Sequence, residues 1–313
     1  MDVEIEQAVR SAVGRAAQES RDFTTKRLDD LGWTELLEAD EATATKVFFE
    51  EQGRLLLSSS ALDSVVVRAM GGEWSWPSTR VGYPLPGRTS ADAGPGADVE
   101  ALVFSRDDFE VALVPVDTGS GIVVHSVARD DAVLIPVDGM DETLGLSRLT
   151  AKRADLVLAE GADWSAGLAA GRRALAHELV GLSRQMLHIV VEHVSTREQF
   201  GHPLGVNQVI QHRLADVRVD LEAADMICDE SWNTTTPFAA TTAKAQAGNT
   251  FNLTAQHGQQ FLGGIGYTWE HHWRHHVRRG FVLSVLLGAS DECESEIAAT
   301  LLENGVVRLG NPV

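Results

Sequence analysis

"REQFGHPLGVNQVIQHRLADV", residues 197–217, decides how the second half of this chain is read. Before it, Leu175, Leu179, Leu182, Met186 and Ile189 step by four and three, a one-face helical stripe. Inside it a second stripe begins, Ile210, Leu214, Val217, Leu221 and Ala224. "GHPLG" breaks the two, because proline and glycine do not continue a helix. Arg197 therefore lies near the end of one helix and Gln208 opens the next. A guanidinium clamps a pyrophosphate bidentately, a phenylalanine such as Phe200 packs on a flat ring, and a glutamine reaches a sugar or ring edge. For each residue alone the plainer reading is the stronger one: a capping arginine, a buried phenylalanine, a solvated glutamine.

A third helix follows the "NTTTP" break, alanine-rich from about 239 to 262, and a fourth begins near Glu270. Between them runs "QFLGGIGYTWEHHWRHHVRR", residues 260–279. "GGIGY" permits close backbone approach, and a helix-terminal turn at positive φ explains one of its glycines equally well. His271/His275 and His272/His276 have the i, i+4 spacing of a two-ligand metal site. No HExxH pattern is present, and Glu270 projects roughly 100° away from His271 around the helix. The polar start of a helix is the favoured reading of these histidines, and no metal site is assigned.

Upstream the pattern changes. "ALVFSR", "FEVALVPVD", "GIVVHSVA", "AVLIPVD" and "ADLVLAE" are β-branched runs separated by Asp/Gly turns, too closely spaced for βαβ crossovers, and predict a small antiparallel sheet. "GGEWSWPSTRVGYPLPGRTSADAGPGAD", residues 71–98, reads as loop or linker. The first 70 residues read as helical, with Val9, Val13 and Ala16 on one face. The expected fold is α+β, mainly α: an N-terminal helical region and linker over 1–97, a small β domain over 98–163 and an antiparallel helical bundle over 164–313.

A net charge of -19 argues against broad contact with nucleic acid or anionic membrane. Any polyanionic ligand has to be met by a few local arginines. Two cysteines form no disulfide framework or thiolate metal set, which suits a reducing cytoplasm. The amino terminus lacks the pattern of an export signal, and no run reaches the ~18 apolar residues of a membrane span. A cytoplasmic location is expected.

The two quoted stretches, in order and some fifty residues apart, resemble the C-terminal domain of the acyl-CoA dehydrogenases. That family's pattern runs R-x-x-F-G-x-x-[IL]-x-x-x-Q-x-[IV]-x-x-x-[LM]-A-[DE]-M, then Q-x-x-G-G-x-G-[YF]-x-x-E. More weakly, "LDDLGWTELLE" and "FFEEQGRLLL" resemble its N-terminal helical segments. The resemblance implies a helical domain, a small β domain and a four-helix bundle, in a tetramer with FAD at a subunit interface. By matched position it implies that Arg197 meets the FAD pyrophosphate and Phe200 packs on the cofactor. Gln208 and Gln260 would hydrogen-bond to it, and Gly263 and Gly264 allow close backbone approach.

The pattern then breaks. The family removes a proton from the acyl α-carbon with a glutamate and passes the β-hydride to the flavin. In register with Y-E-G-T this chain has Leu286, Leu287, Gly288 and Ala289, so Leu287 stands at the base position. The alternative base position, in the first bundle helix, holds Gly171. The middle-domain T-E-x-x-x-G-S-D-type loop that contacts flavin and substrate has no counterpart between Met70 and Ala101. The chain thus resembles the shorter, non-catalytic subunit of the actinobacterial α2β2 steroid-degrading acyl-CoA dehydrogenases. That implies a partner subunit carrying the glutamate and binding most of a sterol-derived acyl-CoA. Two rival readings stand beside it. One is a self-sufficient homo-oligomeric enzyme with a displaced base, Glu178, Asp291 or Glu292; the other is a cofactor-free scaffold or metal-binding paralogue.

Overall fold

The computed structural model describes residues 3–305 except 93, 95 and 200. The N-terminal region is helical: α1 (Val3–Glu19), α2 (Thr25–Asp30), α3 (Trp33–Ala39), α4 (Glu41–Leu55) and α5 (Ala61–Met70). Two short strands, β1 (Asp22–Phe23) and β2 (Ser58–Ser59), pair in parallel within it. Val9 and Val13 are buried, so the face predicted for the first helix is the face that packs.

The middle section holds β3 (Thr79–Val81), β4 (Tyr83–Pro84), β5 (Val99–Phe104), β6 (Val111–Asp117), β7 (Ile122–Ala128), β8 (Ala132–Pro136), β9 (Leu146–Ala151) and β10 (Val157–Leu158). They form two four-stranded sheets, ordered β10-β7-β6-β3 and β4-β5-β9-β8. Val99, Ala101, Val103, Ala112, Val114, Val116 and Leu149 share a core of their own. The segment expected to be linker departs from that reading, since it contributes a strand to each sheet. β3 joins β6 in parallel and β4 pairs with β5. Too short to show an alternating pattern, these strands are held by neighbours distant in sequence. β9, LSRLTA, escapes sequence reading because polar residues interrupt its leucines.

The C-terminal bundle comprises α6 (Trp164–Thr196), α7 (Gln208–Thr234), α8 (Pro237–Leu262), α9 (Trp273–Val285) and α10 (Ser290–Asn304). The break after α6 is a hairpin of β11 (Glu198–Gln199) with β12 (His202–Pro203). α6 is the axis of the molecule, buried on nearly every side from Ala169 to Ser183. A helix enclosed all round is expected to be apolar, yet Arg172, Arg173, His177 and Glu178 lie inside it, all 7% exposed or less.

Two glycines let α4 and α6 touch at the backbone. A Cβ on Gly181 would sit 2.1 Å from the Glu50 carbonyl oxygen, and one on Gly53 would sit 2.1 Å from that of Glu178. No helix among the described residues is long and apolar enough to cross a membrane. Gly181→Ala is expected to push the two helices apart at a cost of about 3 kcal/mol, read as a lower Tm of the purified protein. An unchanged Tm would show that the crossing tolerates a methyl group.

Candidate functional site

α6, α7 and α8 run alternately up and down, so the end of α6, the start of α7 and the end of α8 meet at one end of the bundle. Arg197 caps α6, its N–H donating to the His193 carbonyl at 2.8 Å. Gln208 is the first residue of α7, and Gln260 lies in the last turn of α8. Gly263 ends α8 at φ +61, so one glycine meets the turn requirement, and the space around both Gly263 and Gly264 is open. All five residues are exposed. The side chains of Arg197, Gln208 and Gln260 form no hydrogen bond or ion pair with any described residue. Phe200 lies outside the described residues.

A free guanidinium, two free amides and unhindered glycine backbone at one surface fit the pyrophosphate and sugar of a dinucleotide. The neighbouring Gln259 is committed internally. Its amide donates to the Gly263 carbonyl at 3.1 Å, and its carbonyl accepts from the Trp273 indole at 3.0 Å.

The histidines have separate environments. His271 accepts from the Trp273 backbone N–H at 3.2 Å, and His276 is buried, with Nδ1 3.1 Å from the His272 carbonyl. Burial and their cationic neighbours hold His271, His275 and His276 below the ordinary imidazole range. Among the described residues no group of three or more His, Cys, Asp or Glu is arranged to hold a metal.

The turn between α9 and α10 faces a cavity of about 820 Å³, lined by Leu85, Ile122, Trp164, Leu168, Arg172 and Leu287 among others. Leu287 and Gly171, far apart in sequence, meet here. A Cβ on Gly171 would lie 2.6 Å from Leu287 Cδ1. Leu287 has φ +59, a conformation that costs a leucine on the order of 1 kcal/mol. Two buried cations hold the turn. Arg172 donates to the Leu287 carbonyl at 3.0 Å, and Lys244 donates to the carbonyls of Ser284 at 2.8 Å and Gly288 at 2.9 Å. Burial first, with repulsion from Arg172, lowers the Lys244 amine to about 8.

The carboxylates near the turn are occupied. Glu296 pairs with Arg172 at 2.9 Å, and Glu292 accepts from the Ala289 N–H at 2.8 Å. Asp291 accepts from the Glu292 N–H. Glu178 does not line the cavity. It accepts from Gln52 at 2.9 Å and lies 3.5 Å from the Arg279 guanidinium.

Sequence reading passed over Arg172, Lys244, Gln259 and Arg279. For Arg172 and Lys244 a signal existed: charges embedded in small-residue runs, "AAGRRALA" and the alanine-rich α8. Arg279 ends the quoted motif but reveals nothing of its partners there.

With this geometry in place, residues 162–302 match the family model described as acyl-CoA dehydrogenase, C-terminal domain. The chain is 33% identical over 211 residues to acyl-CoA dehydrogenase IpdE2 of Mycobacterium tuberculosis, an alignment covering 64% of each chain. It thus spans under two thirds of that relative's length. It superposes on the ChsE4-ChsE5 complex from Mycobacterium tuberculosis with a TM-score of 0.72 at 20% identity, covering 96% of this chain and 97% of that one. For the Tcur3481-Tcur3483 steroid ACAD the TM-score is 0.73 at 21% identity, over 96% and 99%. The chain has the acyl-CoA dehydrogenase fold, and its bundle matches that family's C-terminal domain.

Burial, opposed by Arg279, raises Glu178 from 4.5 to about 7, and burial opposed by Arg80 raises Asp63 from 3.8 to about 7. Between pH 4.5 and 7 the native state holds protons that the unfolded chain has released, so stability falls as pH rises through that window. Glu178→Gln is expected to remove its share and leave that of Asp63, giving a shallower fall in urea-unfolding free energy from pH 5 to 7. A slope equal to wild type would place the proton elsewhere.

Proposed function

We propose that this chain is a subunit of a heteromeric FAD-dependent acyl-CoA dehydrogenase, an oxidoreductase acting on a CH–CH bond, whose partner supplies the catalytic glutamate. One observation supports the reading: Leu287 and Gly171, which the resemblance sets at the family's two base positions, meet in space. Neither accepts a proton. Arg197, Gln208, Gln260, Gly263 and Gly264 meanwhile lie exposed at the far end of α6, offered outward. Such a division suits a cofactor completed across an interface.

FAD, when bound, supplies the hydride acceptor. The residues of this chain would orient it: Arg197 on the pyrophosphate, Gln208 and Gln260 on polar edges, and the two glycines by close backbone approach. The substrate is an acyl-CoA thioester, sterol-derived and bound mainly by the partner, in the cytoplasm. The name of the steroid ACAD and the two-component ChsE4-ChsE5 complex support that choice of substrate and assembly.

Purified alone, the chain is expected to carry little flavin. Co-expressed with a base-carrying acyl-CoA dehydrogenase subunit, it is expected to yield a yellow complex. Arg197→Ala should lower the bound flavin per complex, read from the flavin absorbance bands, about tenfold. Stoichiometric FAD on the lone chain, or acyl-CoA turnover by it, would overturn the proposal.

A further inference from the structure

At the opposite end of the bundle, the first turns of α6 and α8 border a second cavity of about 860 Å³. Its walls include Ala42, Ala69, Ala166, Trp232, Pro237 and Arg173. Arg173 is 6% exposed. Its Nε donates to the Ser231 carbonyl at 2.9 Å and its Nη2 to the Thr236 carbonyl at 3.3 Å. Nη1 makes no hydrogen bond to a described residue, and no carboxylate of a described residue lies within ion-pair distance of the guanidinium; Glu41 attracts it only from a distance, and burial outweighs that attraction. A buried cation without a counter-ion is costly and usually paired or hydrogen-bonded to a charge of opposite sign.

The other charged groups around the cavity fill that role only in part, since Glu41 attracts the guanidinium without pairing with it. Glu41 lies 3.9 Å from Arg68, itself on the wall. Asp163 caps α6, accepting from Ser165 at 2.9 Å and Ala166 at 3.4 Å. His177, behind the wall, is held neutral by burial and accepts from the Trp232 indole at 3.1 Å. That bond fixes Trp232, over whose ring the Arg173 guanidinium sits 5.4 Å from the centroid. Two helix N-termini add a field of the same sign as Arg173.

We infer that this cavity is a second ligand site, taking a small organic carboxylate with an apolar body. Its carboxylate pairs with the free edge of Arg173, and its body lies on the alanine and proline walls. The site shares Asp163 and Ser165 with the rim of the cavity beneath Leu287, but Arg173 lines this cavity and not that one, and the inference does not depend on the flavin reading above.

The test is titration calorimetry on the full chain, alone or in its complex, with 2-naphthoate, the neutral 2-naphthylmethanol and inorganic phosphate. 2-Naphthoate is expected to bind at least tenfold more tightly than the alcohol or phosphate. Arg173→Met should weaken it tenfold or more. Ala166→Leu, which fills part of the cavity from the helix surface, should do the same while circular dichroism shows a folded chain. The inference is overturned if the alcohol binds as tightly as the acid, if phosphate alone does so, or if Ala166→Leu binds naphthoate as wild type does.

Discussion

Arg279 is the constraint on which the rest of the arrangement hangs. Its guanidinium is fully buried and reaches three parts of the chain at once. It donates to Asp141 at 2.5 Å and Thr143 at 3.0 Å in the β section, and to the Leu57 carbonyl at 2.7 Å in the helical N-terminal part. Glu178 on α6 lies 3.5 Å away. A cation in that position contributes little net stability, because desolvation offsets most of the attraction. What it contributes is register: any other packing of α9 against the β section leaves an unpaired buried charge, a loss of roughly 3–5 kcal/mol. With α9 fixed, the glycine turn before it and the Leu287 turn after it are fixed as well.

Those two turns do different work. The first leaves the backbone of Gly263 and Gly264 open at the surface, beside exposed Ile265 and Tyr267. The second is buried and pinned by Arg172 and Lys244 on backbone carbonyls, so its shape does not depend on the side chain at 287. This separation lets the turn keep its backbone with a leucine at position 287. It also leaves Leu287 in left-handed geometry, a strain that the two cations sustain through the backbone carbonyls.

Much of the fold was legible because long helices announce themselves. The stripes on α6 and α7 and the alanines of α8 repeat over many turns, and their predicted faces are the ones that pack. The candidate cofactor residues were legible for the same reason, since they punctuate those helices at caps and breaks. β3, β4 and β9 were not, because strands so short or so polar are stabilised by neighbours from distant segments. Nor was the unpaired charge of Arg173, since a count of residues does not say which acid ends near which base.

The sequence by itself determined the architecture, the family resemblance and which residues, Gly171 and Leu287, stand at the two positions compared with that family's base. All of these rest on local periodicity and on residue identity at known spacings. Only the tertiary structure decided that Gly171 and Leu287 face each other, that the backbone around them stays braced, and that Glu178 is held away from the cavity by Arg279. Those facts depend on side chains more than a hundred residues apart meeting in a low-dielectric interior. There each charge must find its partner, and no local pattern records which partner it finds.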